Sequence, residues 1–114
     1  MMLTREQILH SDDLKRVEVK VPEWGGTVRV QMMSGAARDE FEAGIVVDGQ
    51  PDTTNMRAKL AAATLVDDNG RLLFTPADVE ALGRKSAAAL DRVLAAAQKL
   101  NRIGDKELQE LVGN

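Results

Sequence analysis

Residues 16–31 read RVEVKVPEWGGTVRVQ, and this stretch decides the fold. Each half alternates valine with polar residues, and a turn containing proline, tryptophan and glycine joins the two halves. Strand side chains alternate between faces, so one apolar face carries Val17, Val19 and Val21 from the first strand and Val28, Val30 and Met32 from the second. The sequence therefore predicts a β-hairpin over about residues 15–32, with Val17, Val19, Val28 and Val30 buried on one face.

Charge favours one register of this hairpin. Pairing Val19 with Val28 places Glu18 opposite Arg29, whereas a register shifted by two residues places Lys20 opposite Arg29. Opposite charges across a strand pair contribute about 0.2 to 1 kcal/mol, and like charges in the same place are unfavourable. We therefore expect the register in which Glu18 faces Arg29.

The loop of the hairpin, residues 22–25, contains the only tryptophan of the chain. Pro22 fixes φ at the start of the loop, and Gly25 can adopt a left-handed conformation at its end. Trp24 either lies exposed on this loop or folds back over the valines. Because tryptophan is largely buried in most proteins, the second arrangement is favoured.

The rest of the chain is expected to be mainly helical, because Ala, Leu, Glu, Lys and Arg are frequent in it. An isolated hairpin is only marginally stable in water, so helices should cover its apolar face. The expected fold class is α+β, with the N-terminal hairpin packed against a mainly helical remainder. Capping residues and helical spacing predict helices over about residues 5–9 after Thr4, 35–45 after Ser34, 55–66 after Thr54, 76–82 after Thr75 and 87–102 after Ser86.

The longest predicted helix, about residues 87–102, has a single apolar stripe with the i, i+3, i+4, i+7 spacing. The stripe consists of Leu90, Val93, Leu94, Ala97 and Leu100. Such a stripe normally faces its own domain, so a role in the core is favoured over contact with a partner. Gly104 is expected to end the helix.

Length and composition are typical of one small domain. The chain has 114 residues, of which 44% are hydrophobic but only 3% are aromatic, so the core must be aliphatic. We expect one α+β domain over residues 1–104. Residues 105–114 should form a short amphipathic segment that a partner can order, with Leu108, Leu111 and Val112 as candidate partner-binding residues.

The charge distribution argues against nucleic acid and membrane partners. The formal net charge is −3, and the basic residues are dispersed along the chain. No apolar run is long enough for a signal peptide or a bilayer span. The absence of cysteine excludes disulfides and thiolate metal sites, and it suits a reducing cytoplasm.

Motifs for catalysis or metal binding are missing. His10 is the only histidine, and a tetrahedral metal site needs more nitrogen or sulfur ligands. Residues 67–70, DDNG, are typical of a turn, because a calcium loop with Gly70 in sixth place would lack ligands at its first and twelfth positions. No phosphate-binding loop, dinucleotide fingerprint or nucleophile elbow occurs. We expect no enzyme activity, no cofactor and no metal.

Several segments, taken in their order along the chain, resemble one protein family. They are VPEWGGTVRV (21–30), SGAARDEFE (34–42), RAKL (57–60), LVDDNGRLLFT (65–75) and KSAAALDRV (85–93). Together they resemble the tail assembly chaperones of long-tailed bacteriophages and prophages. No single segment marks a reaction, and the resemblance covers nearly the whole chain.

The resemblance implies a protein that acts during virion assembly in the cytoplasm of the bacterial host and is absent from the mature virion. Its implied partners are the tape measure protein and the tail tube protein. The family also includes a longer form made by ribosomal frameshifting. The resemblance supplies no catalytic residue, and it leaves homo-oligomerisation open.

A second class of function agrees with the same composition. A structural virion component, such as a head-tail connector or a tail-terminator subunit, would also be small, acidic and without catalytic motifs. A small hydrolase is disfavoured, because the usual nucleophile and base constellations are absent. The chaperone and the virion component differ in whether the protein is found in purified particles.

Overall fold

The computed structural model describes residues 1–104, and the predicted hairpin is the largest part of its sheet. Strands β1 (Arg16–Val21) and β2 (Gly26–Gln31) are antiparallel. Val19 lies opposite Val28, and Glu18 lies opposite Arg29 with 3.3 Å between their charged atoms. Both the hairpin and the register expected from charge are confirmed.

A third strand, β5 (Leu65–Val66), extends the sheet beyond the hairpin. It pairs antiparallel with β2, so the strand order is β1-β2-β5. The sequence prediction placed these two residues at the end of a helix, and that was wrong. Both side chains are buried, and pairing with β2 supplies their backbone hydrogen bonds, so tertiary pairing overrides local helix propensity.

Burial along the hairpin is uneven: in β1, the edge strand of the sheet, only Val21 at the loop end is fully buried. Val30 is 0% exposed, whereas its partner Val17 is 40% exposed. Val19 and Val28 are half-buried and pack against the core. The expected burial of Val17 is therefore wrong: burial of the β1 valines rises from Val17 to Val21, toward the loop that is held against the longest helix, and Val17 lies at the far end.

Five helices surround the sheet within the described residues: α1 (Arg5–Leu9), α2 (Gly35–Ala43), α3 (Met56–Thr64), α4 (Val79–Gly83) and α5 (Ala87–Asn101). The predicted caps Thr4, Ser34 and Ser86 each accept a hydrogen bond from the third backbone amide of their helix. A short 3-10 turn, Pro76–Asp78, leads into α4, and Thr75 caps it as expected. The cap at Thr54 was predicted wrongly, since Asn55 with φ of 56° precedes α3.

The segment between α2 and α3 contains a small hairpin. Its strands are β3 (Val46–Val47) and β4 (Gln50–Pro51). The two turn residues between them, Asp48 and Gly49, have φ values of 52° and 77°. Positive φ at both positions is typical of a type I′ turn, for which Asp-Gly is a preferred pair.

The core lies between the sheet and the helices. α5 packs on β1, β2 and α3, and α3 also contacts α2 and α4. Leu90, Val93 and Ala97 are buried, and Leu94 and Leu100 are half-buried against the same core. The stripe of α5 is therefore core, as predicted, and the fold class is α+β.

The hairpin loop is fastened to α5. The loop forms a 3-10 turn, Pro22–Trp24, followed by Gly25 with φ of 75°. Trp24 is half-buried and packs against the core, and Arg92 Nε donates to both Glu23 carboxylate oxygens at 2.9 and 3.2 Å. The hydrogen bond from Arg92 holds the pKa of Glu23 below its ordinary range.

The C-terminal end of α5 differs from the prediction that Gly104 would stop the helix. Arg102 adopts the left-handed conformation with φ of 54°, and Ile103 N donates to Gln98 O at 2.8 Å. This pair of features defines a Schellman motif, in which an apolar residue packs back on the helix. Ile103 is that residue and is 1% exposed, so its burial ends the helix at Asn101.

None of the helices within residues 1–104 combines the length and the apolar character needed to span a bilayer.

Candidate functional site

An apolar groove of about 290 Å³ lies between α2 and α3. Ala37 and Phe41 of α2, with Gly44 directly after the helix, form one wall, and Ala62 and Ala63 form the wall on α3. Small side chains on both helices leave room between them, and the lining residue Phe41 is buried. The alanine-rich composition of α3 therefore has a structural consequence, because bulkier residues would fill the groove.

The third wall comes from the segment between β5 and α4 and from the first residue of α4. Leu72, Phe74, Pro76 and Val79 line it, so most of the groove surface is apolar. Phe74 and Val79 are half-buried against the core, while Leu72 is 53% exposed at the edge of the groove. Exposed apolar residues beside a groove are typical of a site that binds another protein.

A tight turn at residues 67–70 positions this third wall. Asp67 Oδ1 accepts hydrogen bonds from Asn69 N at 2.8 Å and from Arg71 N at 3.0 Å, and Gly70 has φ of 78°. These backbone donors, that of Arg71 first, lower the pKa of Asp67. The turn predicted at this position is confirmed, and it sends the chain back along β5.

The returning chain is fixed to β5 by backbone bonds. Leu72 forms an isolated bridge with Val66, and Leu73 N donates to Leu65 O at 3.0 Å. Leu72 thereby faces the groove, whereas Leu73, which is 50% exposed, does not line it. The two neighbouring leucines thus form a matched pair for testing the groove.

Two charged residues, Lys59 and Glu40, lie on the groove wall. Lys59 Nζ lies 3.8 Å from Asp52 Oδ2 and 3.4 Å from Asp52 O. The pKa of Asp52 is lowered first by hydrogen bonds from Thr54 and then by the charge of Lys59. Among the described residues, the carboxylate of Glu40 makes no hydrogen bond or ion pair.

Other exposed apolar side chains lie outside the groove. Val46 and Val47 of the small hairpin are about half exposed. Every residue of α1 is exposed, including Ile8 and Leu9. His10 caps the C-terminal end of α1 and is exposed, as expected for a polar residue at a helix end.

The groove could not be identified from the sequence, because its walls come from three segments that are distant along the chain. The only local signal was the adjacent Leu72 and Leu73 directly after a polar turn. The residues predicted to bind a partner, Leu108, Leu111 and Val112, lie in residues 105–114 and outside the described part of the chain. Their role stays a prediction.

The comparisons with known proteins show a structural likeness. The sequence matches no protein-family model, and no curated protein is significantly similar to it. The structure is similar to that of the tail assembly chaperone of bacteriophage HK97, with a TM-score of 0.60 and 21% sequence identity. The match covers 88% of this chain and 95% of the HK97 protein. This chain therefore has the fold of a bacteriophage tail assembly chaperone.

Proposed function

We propose that this protein is a non-enzymatic tail assembly chaperone that uses the apolar groove to bind the tape measure protein. In this proposal it acts in the host cytoplasm, helps to recruit tail tube subunits and is absent from the finished virion. The observation that carries it is the open groove between α2, α3 and the Leu72–Phe74 wall. The shared fold with the HK97 chaperone supports the same role.

The groove has the chemistry needed to cover a helical apolar stripe. An amphipathic helix presents apolar side chains at i, i+3, i+4 and i+7, and such helices dock by inserting these anchors into a groove. Phe41, Leu72, Phe74 and Val79 offer apolar and aromatic contact area for those anchors. A long helical protein whose stripes are exposed before assembly would aggregate without such a cover.

Apolar contact alone favours reversible binding. Each aliphatic anchor that becomes fully buried contributes about 1.5 to 3 kcal/mol. Part of this gain is offset by an entropy cost, because binding removes translational freedom and side-chain motion. A groove that accepts only a few anchors therefore gives moderate affinity, as a chaperone that must release its client requires.

Co-expression with the tape measure protein tests the proposal. The chaperone should raise the soluble yield of the tape measure protein, and pull-down should recover the complex. Leu72→Asp should abolish both effects, because it puts a charge on the groove wall. Leu73→Asp is the matched control, since Leu73 is equally exposed but does not line the groove. Equal solubility with and without the chaperone, and no complex in pull-down, would refute the proposal.

The structural virion component is the other candidate, and mass spectrometry of purified virions separates the two. A chaperone should be missing from the particles, whereas a connector or terminator should be present at the copy number of a ring. Detection at ring-like copy number would favour the virion component and count against the chaperone.

A further inference from the structure

We propose that the groove selects amphipathic helices that carry a lysine or arginine beside their apolar stripe. This inference rests on the proposed function and specifies the kind of segment that the groove binds. It comes from the charges around the groove, which are not balanced.

The cation at the groove is already compensated. Lys59 contacts both the carboxylate and the backbone carbonyl of Asp52. A partner's acidic residue would therefore compete with Asp52 for Lys59. The groove offers little attraction for an acidic flank.

The anion on the opposite wall is not compensated. Glu40 lines the groove from α2, is exposed, and has no charged or hydrogen-bonding partner among the described residues. The only cation on α2, Arg38, pairs with Glu42 at 2.9 Å and also donates to Asn101 O. Asp39 beside Glu40 also makes no ion pair in the described part of the chain. The α2 wall therefore presents net negative charge to an incoming segment.

The third wall adds no free cation. Asp78, near its end, accepts the hydrogen bond from Thr75 N at 2.8 Å and so serves as a helix cap. Arg71 belongs to the turn beyond the wall and does not line the groove. A cationic side chain at the α2 side of the groove would thus find an available carboxylate, and the described cation of the lining, Lys59, is already paired with Asp52.

Charge also argues against the chain itself as the occupant. The whole chain carries a net charge of −3, and residues 105–114 contain three acidic residues and one lysine. A second copy or this C-terminal segment would bring further negative charge to Glu40. A separate partner with cationic flanks is the complementary occupant.

The expected effect is small and specific. An exposed ion pair of this kind changes affinity by about twofold to fivefold at low salt. It acts mainly on the association rate and is screened as the Debye length shortens from about 10 Å at 0.1 M to 3 Å at 1 M salt. The apolar anchors therefore supply most of the affinity, and Glu40 supplies the preference for helices with a lysine or arginine beside the apolar stripe.

Fluorescence anisotropy with the full-length chain and three synthetic helical peptides tests the inference. The peptides share the same apolar i, i+3, i+4, i+7 positions and carry lysine, glutamine or glutamate beside them. The lysine peptide should bind about twofold to fivefold more tightly than the glutamine peptide at low salt, and the glutamate peptide should bind least. Glu40→Lys should reverse this order, and 1 M salt should abolish it. Asp13→Lys, which makes the same change in net charge away from the groove lining, should leave the order unchanged.

The outcomes separate this inference from the proposed function. Equal binding of all three peptides, or an unchanged order in Glu40→Lys, would overturn the charge preference while leaving the groove as a binding site. Absence of binding by any peptide would count against the groove itself. If Leu111→Ser increases affinity for every peptide, the chain's own C-terminal segment competes for the groove, and the choice of a separate partner is wrong.

Discussion

Arg102 at the end of α5 provides a sharp test of the structure, because replacing it with glycine should raise stability. A non-glycine residue in the left-handed conformation costs about 1 to 2 kcal/mol, and glycine adopts it freely. Against this, glycine destabilises the folded state by about 0.5 to 1 kcal/mol, because it loses more backbone entropy on folding. Arg102 is exposed and makes no ion pair within residues 1–104, so only the weak, solvent-screened attraction of its charge to the C-terminal end of α5 is lost with the side chain. The net expectation for Arg102→Gly is a gain of about 0.5 to 1 kcal/mol.

Urea unfolding and thermal unfolding of Arg102→Gly, Arg102→Ala and the unmodified chain measure this gain. Arg102→Gly should shift the Tm upward by about 2 to 6 °C. Arg102→Ala is the control, because alanine removes the side chain but keeps the strained backbone, and it should give no gain. Destabilisation by Arg102→Gly, or equal stability of the two variants, would show that the helix does not end in a Schellman motif with Ile103 buried.

Three further predictions concern stability. Leu90→Ala should cost about 2 to 5 kcal/mol in urea unfolding, because Leu90 is 3% exposed; a cost below 1 kcal/mol would place its side chain outside the core. Val19→Asp should cost about 1 to 3 kcal/mol, and an unchanged Tm would mean that this half-buried position is in solvent. The pKa values of Glu23, Asp52 and Asp67 are lowered in the folded protein, so the stabilisation they provide is present at neutral pH and is lost as pH falls through the acid range. The Tm should therefore fall between about pH 5 and pH 3, and a constant Tm would contradict these shifts.

Local rules were sufficient for much of the fold. Alternating valines gave the hairpin, and the charges of Glu18 and Arg29 gave its register, because both signals depend on residues that are neighbours in the strand pair. Helix starts at Ser34 and Ser86 were also predictable, since a capping side chain bonds to an amide three residues ahead. The tail assembly chaperone fold was inferred from the order of short segments and is confirmed by the structure.

The errors arose where distant residues decide the outcome. Leu65 and Val66 continue a helical pattern in the sequence, yet β2 offers them a strand partner from more than thirty residues away. Arg102 takes a conformation that favours glycine, because burial of Ile103 outweighs the strain. The groove requires three separated segments and could not be read from any one of them. The prediction for Leu108, Leu111 and Val112 concerns residues beyond the described part of the chain and stays untested.

The wall that carries Leu72 is also hydrogen-bonded to β5. Hydrogen exchange of the amides in these bonds can therefore detect partner binding. Leu73 N–H donates to Leu65 O, and Asp67 N–H donates to Arg71 O, so both amides exchange only when the wall opens. A ligand that requires the closed wall, at a free concentration of about 100 times its Kd, stabilises the closed state by about 2.7 kcal/mol. Exchange of these amides would then slow by about 100-fold. Exchange of these two amides thus reports whether the groove is occupied.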